Sequence, residues 1–180
     1  MRTGRRAAYG AALFFILTML VIQQYATLDA VPTERLDLTF ELRCKCRLRT
    51  RSESGEEVGL FMQRGTVLRD GDKLLADDGR IVQVLAASEA LLEARAADPL
   101  LLMRGAYHLG NRHVAVQLGA GWLRFAADHV LRDMVAGLGL EVTEVVTPFQ
   151  PESGAYGHGH THGGATNAAS VIHQYRSSKA

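Results

Sequence analysis

The sequence predicts an α+β protein: an antiparallel β domain comes first, and strands alternating with helices come second. Three observations predict it. The stretch "LDLTFELRCKCRLRT", residues 36–50, alternates apolar and polar residues with period two, the signature of a strand with one buried and one wet face. From about residue 91, strand-like runs are separated by segments carrying helix start and stop signals. After Pro148 and Pro151 the chain turns to glycine, serine and histidine, a composition too poor in apolar residues to fold on its own.

The elements follow in chain order. "MLVIQQY" opens a first strand at Met19. In the alternating stretch, Leu36, Leu38, Phe40, Leu42, Cys44, Cys46 and Leu48 share one face, and Asp37, Thr39, Glu41, Arg43, Lys45, Arg47 and Arg49 share the other. This predicts one long strand, or two joined by a bend, whose basic face is solvated. "RSESGEE" is a turn, "VGLFM" and "TVL" are short strands, and "RDGD" and "ADDGR" carry Asp-Gly turn signals before the strand "IVQVLAA". Residues 19–92 are therefore expected to form the β domain.

In the second part "LLEARA" reads as a strand, and Asp98-Pro99 supplies an N-cap with proline in the first helical position. The helix "PLLLMRGAYHL" should stop at Gly110-Asn111, residues that tolerate a left-handed conformation. "HVAVQL" and "GWLRFA" are strands joined by "GAG". Asp128 caps a second helix with Val130, Leu131, Met134, Val135 and Leu138 as its apolar stripe, Gly139 ends it, and "LEVTEVVTPF" closes the sheet. The order β-α-β-β-α-β over residues 93–150 is ferredoxin-like, two helices on one face of a four-stranded sheet. Residues 151–180 are expected to be a disordered histidine-containing tail.

Composition narrows the function. The chain has 180 residues with a formal net charge of +1, without the basic excess of a nucleic-acid binder. Cys44 and Cys46 lack CxxC spacing and read as reduced, half-buried core thiols. The N-terminal "MRTGRRAAYGAALFFILTMLVI" is basic and then apolar, as in a signal peptide or membrane anchor. Its densest part is short for a spanning helix, no small-x-small cleavage site follows, and residues 1–18 are read as an extension upstream of a start at Met19.

The seven histidines carry the chemistry. His158, His160 and His162 stand at alternate positions in "GAYGHGHTHGG", with no apolar neighbours to pack against. Such a trio can wrap one ion, or be a chance low-complexity tract. In "HVAVQL", Val114, Val116 and Leu118 are expected to face the helices, leaving His113 on the uncovered side of the sheet. Two copies meeting there near a two-fold axis would bring two His113 imidazoles together and begin a metal site. His129 follows the Asp128 cap, where a helix N-terminus favours a neutral, metal-competent imidazole, although a plain surface histidine fits the local sequence equally. His108 reads as a residue on a helix flank, and the isolated His173 is assigned no role. Imidazoles with few carboxylates or thiolates suit Ni²⁺, Cu²⁺, Zn²⁺ or Co²⁺ rather than Mg²⁺ or Ca²⁺. A metal-dependent hydrolase would need an open site with a general base, and motifs such as HExxH are missing.

The segments "AYHLGNRHVAVQL", "LRFAADHVLRDM" and "PFQPESGAYGHGHTH" resemble the urease accessory nickel chaperone family, UreE. The likeness extends upstream through "RGTVLRDGDKLLADDGRIVQVLAASE" and covers nearly everything from Met19 to His162. The resemblance implies a cytoplasmic homodimer with no enzymatic activity of its own. Its N-terminal domain would resemble the peptide-binding domains of certain chaperones, and its ferredoxin-like domain would bind metal. It implies that His113, in Gly-Asn-Arg-His, pairs across the dimer to hold nickel, which passes to apo-urease with other accessory proteins, including a GTPase. Asp128-His129 matches the second half of a His-x-His pair found in some members; Ala127 replaces the first half, which weakens that auxiliary site. The tail histidines would add capacity or capture speed, and Zn²⁺, Cu²⁺ or Co²⁺ could bind in place of Ni²⁺. The alternative reading is an exported or membrane-anchored histidine-rich metal scavenger.

Overall fold

The computed structural model describes residues 19–153. The N-terminal extension and the tail histidines His158, His160, His162 and His173 lie outside the described residues. Two sheets account for the strands. The first contains β1 (Leu20–Tyr25), β2 (Glu34–Leu38), β3 (Arg47–Arg51), β4 (Glu57–Phe61), β5 (Lys73–Ala76) and β6 (Ile81–Ala86), in the order β2-β6-β5-β1-β4-β3. It is mixed rather than wholly antiparallel, because β1 runs parallel to β4 and β2 parallel to β6. Alternation along the strands sends Ile22, Leu36, Leu38, Val58, Leu60, Leu74, Val82 and Val84 into one core with no exposure. The expected strand "TVL" is instead loop, although Leu68 is buried. The four-residue β5 lies between the two Asp-Gly turns.

The long alternating stretch does not stay extended. It divides into β2, the short helix α1 (Phe40–Arg43) and β3. Arg43 N–H donates to Thr39 C=O at 3.0 Å and Cys44 N–H to Phe40 C=O at 3.1 Å, closing the turn. Cys44 and Cys46 therefore share no strand face: Cys44 is exposed and Cys46 only half-buried. Arg43, expected on the wet face, is 2% exposed.

The second sheet contains β7 (Ser88–Arg95), β8 (Gln117–Gly119), β9 (Trp122–Ala126) and β10 (Glu141–Pro148), in the order β10-β7-β9-β8 with every pairing antiparallel. Its helices are α2 (Pro99–Gly110) and α3 (His129–Gly137). The connectivity is the ferredoxin-like βαββαβ. This sheet starts at Ser88, upstream of residue 92, with only Ala87 separating β6 from β7. Leu92, Ala94, Leu109, Leu123, Phe125, Val135 and Leu140 form the core beneath the helices. Leu131, Met134 and Leu138 pack against it as expected, but Val130 is 60% exposed and Leu118 50%.

The opposite face of the sheet is closed by charge. Glu93 is 5% exposed and accepts from Arg95 and Arg124 at 2.7 Å each, and the Arg124 guanidinium lies 4.1 Å over the Trp122 ring. Burial alone would raise the Glu93 carboxyl, but the two guanidiniums outweigh it and hold it below the usual carboxylate range.

The sheets meet at Arg43. Its guanidinium donates to the carbonyls of Leu38 (3.3 Å), Leu68 (3.1 Å) and Phe149. Phe40 meets Phe149 edge-to-face at 5.5 Å, and Phe40 N–H donates to Glu89 Oε1 at 2.8 Å. Among the described residues, no helix is long and apolar enough to cross a membrane.

Candidate metal centre

Asp98 starts α2 by accepting from Leu100 N–H at 2.9 Å, with Pro99 next, as the sequence predicts. The other end differs. Asn111 is right-handed, and His113 takes the left-handed position at φ +56°. His113 N–H donates to Gly110 C=O at 2.9 Å and Val114 N–H to Leu109 C=O at 3.2 Å, so a tight backbone loop sets this conformation. Val114 and Val116 pack on the core, yet the ladder begins only at Gln117. His113 is therefore not on the helix-free face of the sheet. It stands exposed on a turn at the end of α2. Left-handed backbone is uncommon for residues with a Cβ, and such conformations cluster at functional positions.

The helix that leads into this turn exposes apolar side chains along its length. Leu100, Met103 and Tyr107 are 48%, 60% and 65% exposed, and their i, i+3, i+7 spacing places them on one stripe of α2. His108 is half-buried, its ring edge-on to Tyr107 with centroids 5.4 Å apart. Arg112 Nη1 donates to the His108 carbonyl at 3.2 Å.

His129 is the first residue of α3 and is exposed, as is Ala127. Asp128 Oδ1 accepts from Leu131 N–H at 2.9 Å, the expected cap. Among the described residues, no three His, Cys, Asp or Glu side chains come together as a metal-binding group. The described part of one chain thus offers single exposed imidazoles, His113 and His129, rather than a closed ligand set.

The start of the tail is held against the stretch that runs from His113 into β8. Glu152 N–H donates to Val116 C=O at 2.8 Å, and Gln150 N–H to Gln117 Oε1 at 3.1 Å. From the first sheet, Asp70 N–H reaches Gln150 Oε1 at 3.2 Å and Arg69 reaches Ser153 Oγ. Phe149 is 1% exposed. Sequence reasoning missed this junction. Arg43 resembled its solvated neighbours, and no local pattern announces a hydrogen bond spanning 106 positions.

Residues 20–87 match the family model of the UreE urease accessory protein N-terminal domain, and residues 89–176 that of its C-terminal domain. The urease accessory protein UreE of Azotobacter vinelandii is 51% identical over 162 residues, covering 87% of this chain and 98% of that protein. The protein of the same name from Ectopseudomonas mendocina is 55% identical over 143 residues, covering 79% of this chain and 86% of its own. That of Burkholderia lata is 56% identical over 128 residues; the match covers 71% of this chain but spans 62% of the length of the relative.

Proposed function

The chain belongs to the UreE urease accessory protein family, and from that premise we propose that it carries Ni²⁺ to apo-urease during assembly of the urease active site. It works as a cytoplasmic homodimer with other accessory proteins, including a GTPase, and catalyses no reaction itself. Nickel is cargo, so the site must capture the ion and release it. Exposed imidazoles contributed by separate segments suit that task better than a rigid closed cage, and they also admit Zn²⁺, Cu²⁺ or Co²⁺.

The observation that carries this reading is the position of His113, three residues before the carbonyl of Val116 on which Glu152 is anchored. An extended chain spans at most about 3.5 Å per residue, so His113 lies within roughly 10 Å of Val116 and His158 within roughly 20 Å of Glu152. His158, and with it His160 and His162, is thereby tethered within reach of an ion on His113. The exposed stripe Leu100, Met103 and Tyr107 along the helix that leads into this turn supports a second copy docking on that helix, which would supply a second His113. His129, without a histidine at Ala127, contributes an auxiliary ligand only.

Nickel titration by calorimetry tests the proposal on the intact protein, a version ending at Tyr156, and that version carrying His113→Ala. The expected result is that truncation lowers the stoichiometry but leaves one tight ion per dimer, which the substitution abolishes. Loss of all binding on truncation alone would move the site to the tail and refute the assignment of His113.

A further inference from the structure

The stretch that carries His113 is cationic before any ion arrives. Between Asp98 and Asp128 the sequence has no aspartate or glutamate, yet it has Arg104, Arg112 and Arg124. Arg124 is paired with Glu93 at 2.7 Å. Arg104 and Arg112 are exposed, and among the described residues neither forms an ion pair with a carboxylate.

Arg112 is the immediate neighbour of His113, and its position is fixed at both ends. Its N–H donates to Leu109 C=O at 3.0 Å, and its side chain turns back on α2, where Nη1 donates to His108 C=O at 3.2 Å. His113 N–H is held on Gly110 C=O at 2.9 Å. Carbonyls 108 and 110 are separated by about 3 Å along the helix axis, so the guanidinium and the histidine are moored to one turn. An ion on the His113 imidazole would stand on the order of 10 Å from that guanidinium. The C-terminal end of a helix attracts cations. Arg112 already occupies this end of α2, as a cap and as a charge.

We propose that Arg112 keeps the cargo releasable: its fixed positive charge beside His113 holds the affinity for a divalent ion below what the imidazoles alone would give. The proposal rests on His113 being a ligand of the transferable ion. In water a dication and one guanidinium about 10 Å apart repel enough to lower affinity roughly fourfold, and a site shared by two copies has two guanidiniums, or roughly fifteenfold. Screening reduces this to roughly sevenfold at about 0.01 M salt and roughly twofold at about 0.15 M. The loss falls mainly on dissociation, so the ion leaves faster. Ni²⁺, Cu²⁺, Zn²⁺ and Co²⁺ carry the same charge, and Arg112 therefore sets how tightly the site holds rather than which ion it holds.

The test is nickel calorimetry on the full chain and on Arg112→Gln, Arg112→Lys and His113→Ala, at about pH 8, where free imidazoles are neutral. The ion of interest is the one that His113→Ala removes. Arg112→Gln is expected to bind it roughly fivefold to tenfold more tightly at about 0.01 M salt, with the gain shrinking to about twofold at about 0.15 M. Its release into excess chelator should slow by a similar factor, and Arg112→Lys should stay close to the parent. A purely structural cap predicts the reverse: lower thermal stability for Arg112→Gln, with affinity unchanged or reduced. Unchanged or weaker binding by Arg112→Gln would overturn the proposal. So would a gain that ignores salt, or an equal gain in Arg112→Lys. If His113→Ala removes no ion, the assignment of His113 falls and this proposal falls with it; if it does remove one and Arg112→Gln gains nothing, only this proposal falls.

Discussion

Replacing Arg43 with methionine isolates the junction between the sheets. The side chain is 2% exposed and supplies donors to three carbonyls, those of Leu38, Leu68 and Phe149. Leu38 C=O keeps a second donor, Ala87 N–H at 3.0 Å, so the substitution strips two carbonyls, Leu68 and Phe149. A buried polar group left without its partner costs about 1–3 kcal/mol, or roughly 2–6 kcal/mol for the pair. Relief of the buried charge works the other way; burial already pushes the Arg43 guanidinium below its usual pKa. A net loss of about 3 kcal/mol is expected for Arg43→Met. With a urea m-value of about 2 kcal/mol/M for a chain of this size, the midpoint should fall by about 1.5 M. Arg43→Lys keeps the charge without the planar fork, and should recover only a minor part of the loss. Urea unfolding followed by circular dichroism reads both. A loss below about 1 kcal/mol for Arg43→Met, or full recovery by lysine, would refute the reasoning.

Two further outcomes follow from the second sheet. The Glu93 carboxyl is held below its unfolded value, so it contributes stability that is complete above about pH 4.3 and is lost as pH falls through the folded pKa; Glu93→Gln should flatten the acid limb of a stability-versus-pH curve, and an unchanged limb would assign that dependence to other groups. Asp128→Ala removes the side-chain acceptor of Leu131 N–H and should cost about 1 kcal/mol, a fall of about 2–4 °C in Tm by calorimetry; an unchanged Tm would mean that water replaces the cap without loss.

The parts of the fold legible in sequence are those specified locally. Asp98-Pro99 and Asp128 each carry a cap that needs only the next few residues, and the structure has both bonds. Gly139 takes its left-handed turn at φ +96°. What failed was specified from a distance. Alternation through residues 36–50 describes a strand well until Arg43 is drawn under Leu68 and Phe149 and the Phe40 amide is claimed by Glu89. Helical backbone over four residues then removes Cys44 from the face that counting gave it. Where the candidate metal residues would stand was not legible. His113 stands out in Gly-Asn-Arg-His, but Gly110 and Asn111 are stronger left-handed formers, and nothing nearby says that the histidine takes that position.

The Arg43 clasp also sets a timetable. Its partner Phe149 lies 106 positions further along the chain, a stretch that takes roughly 5–20 s to synthesise at ordinary rates of translation. During that interval the strands of the first sheet have all been made, while a guanidinium destined for burial still faces water and Phe40 has no ring to meet. The first sheet must therefore be competent to persist with its junction open. The segment that brings Phe149 also sets Gln150 and Glu152 against Gln117 and Val116, so one late-made stretch of chain closes both the Arg43 clasp and the flank of β8.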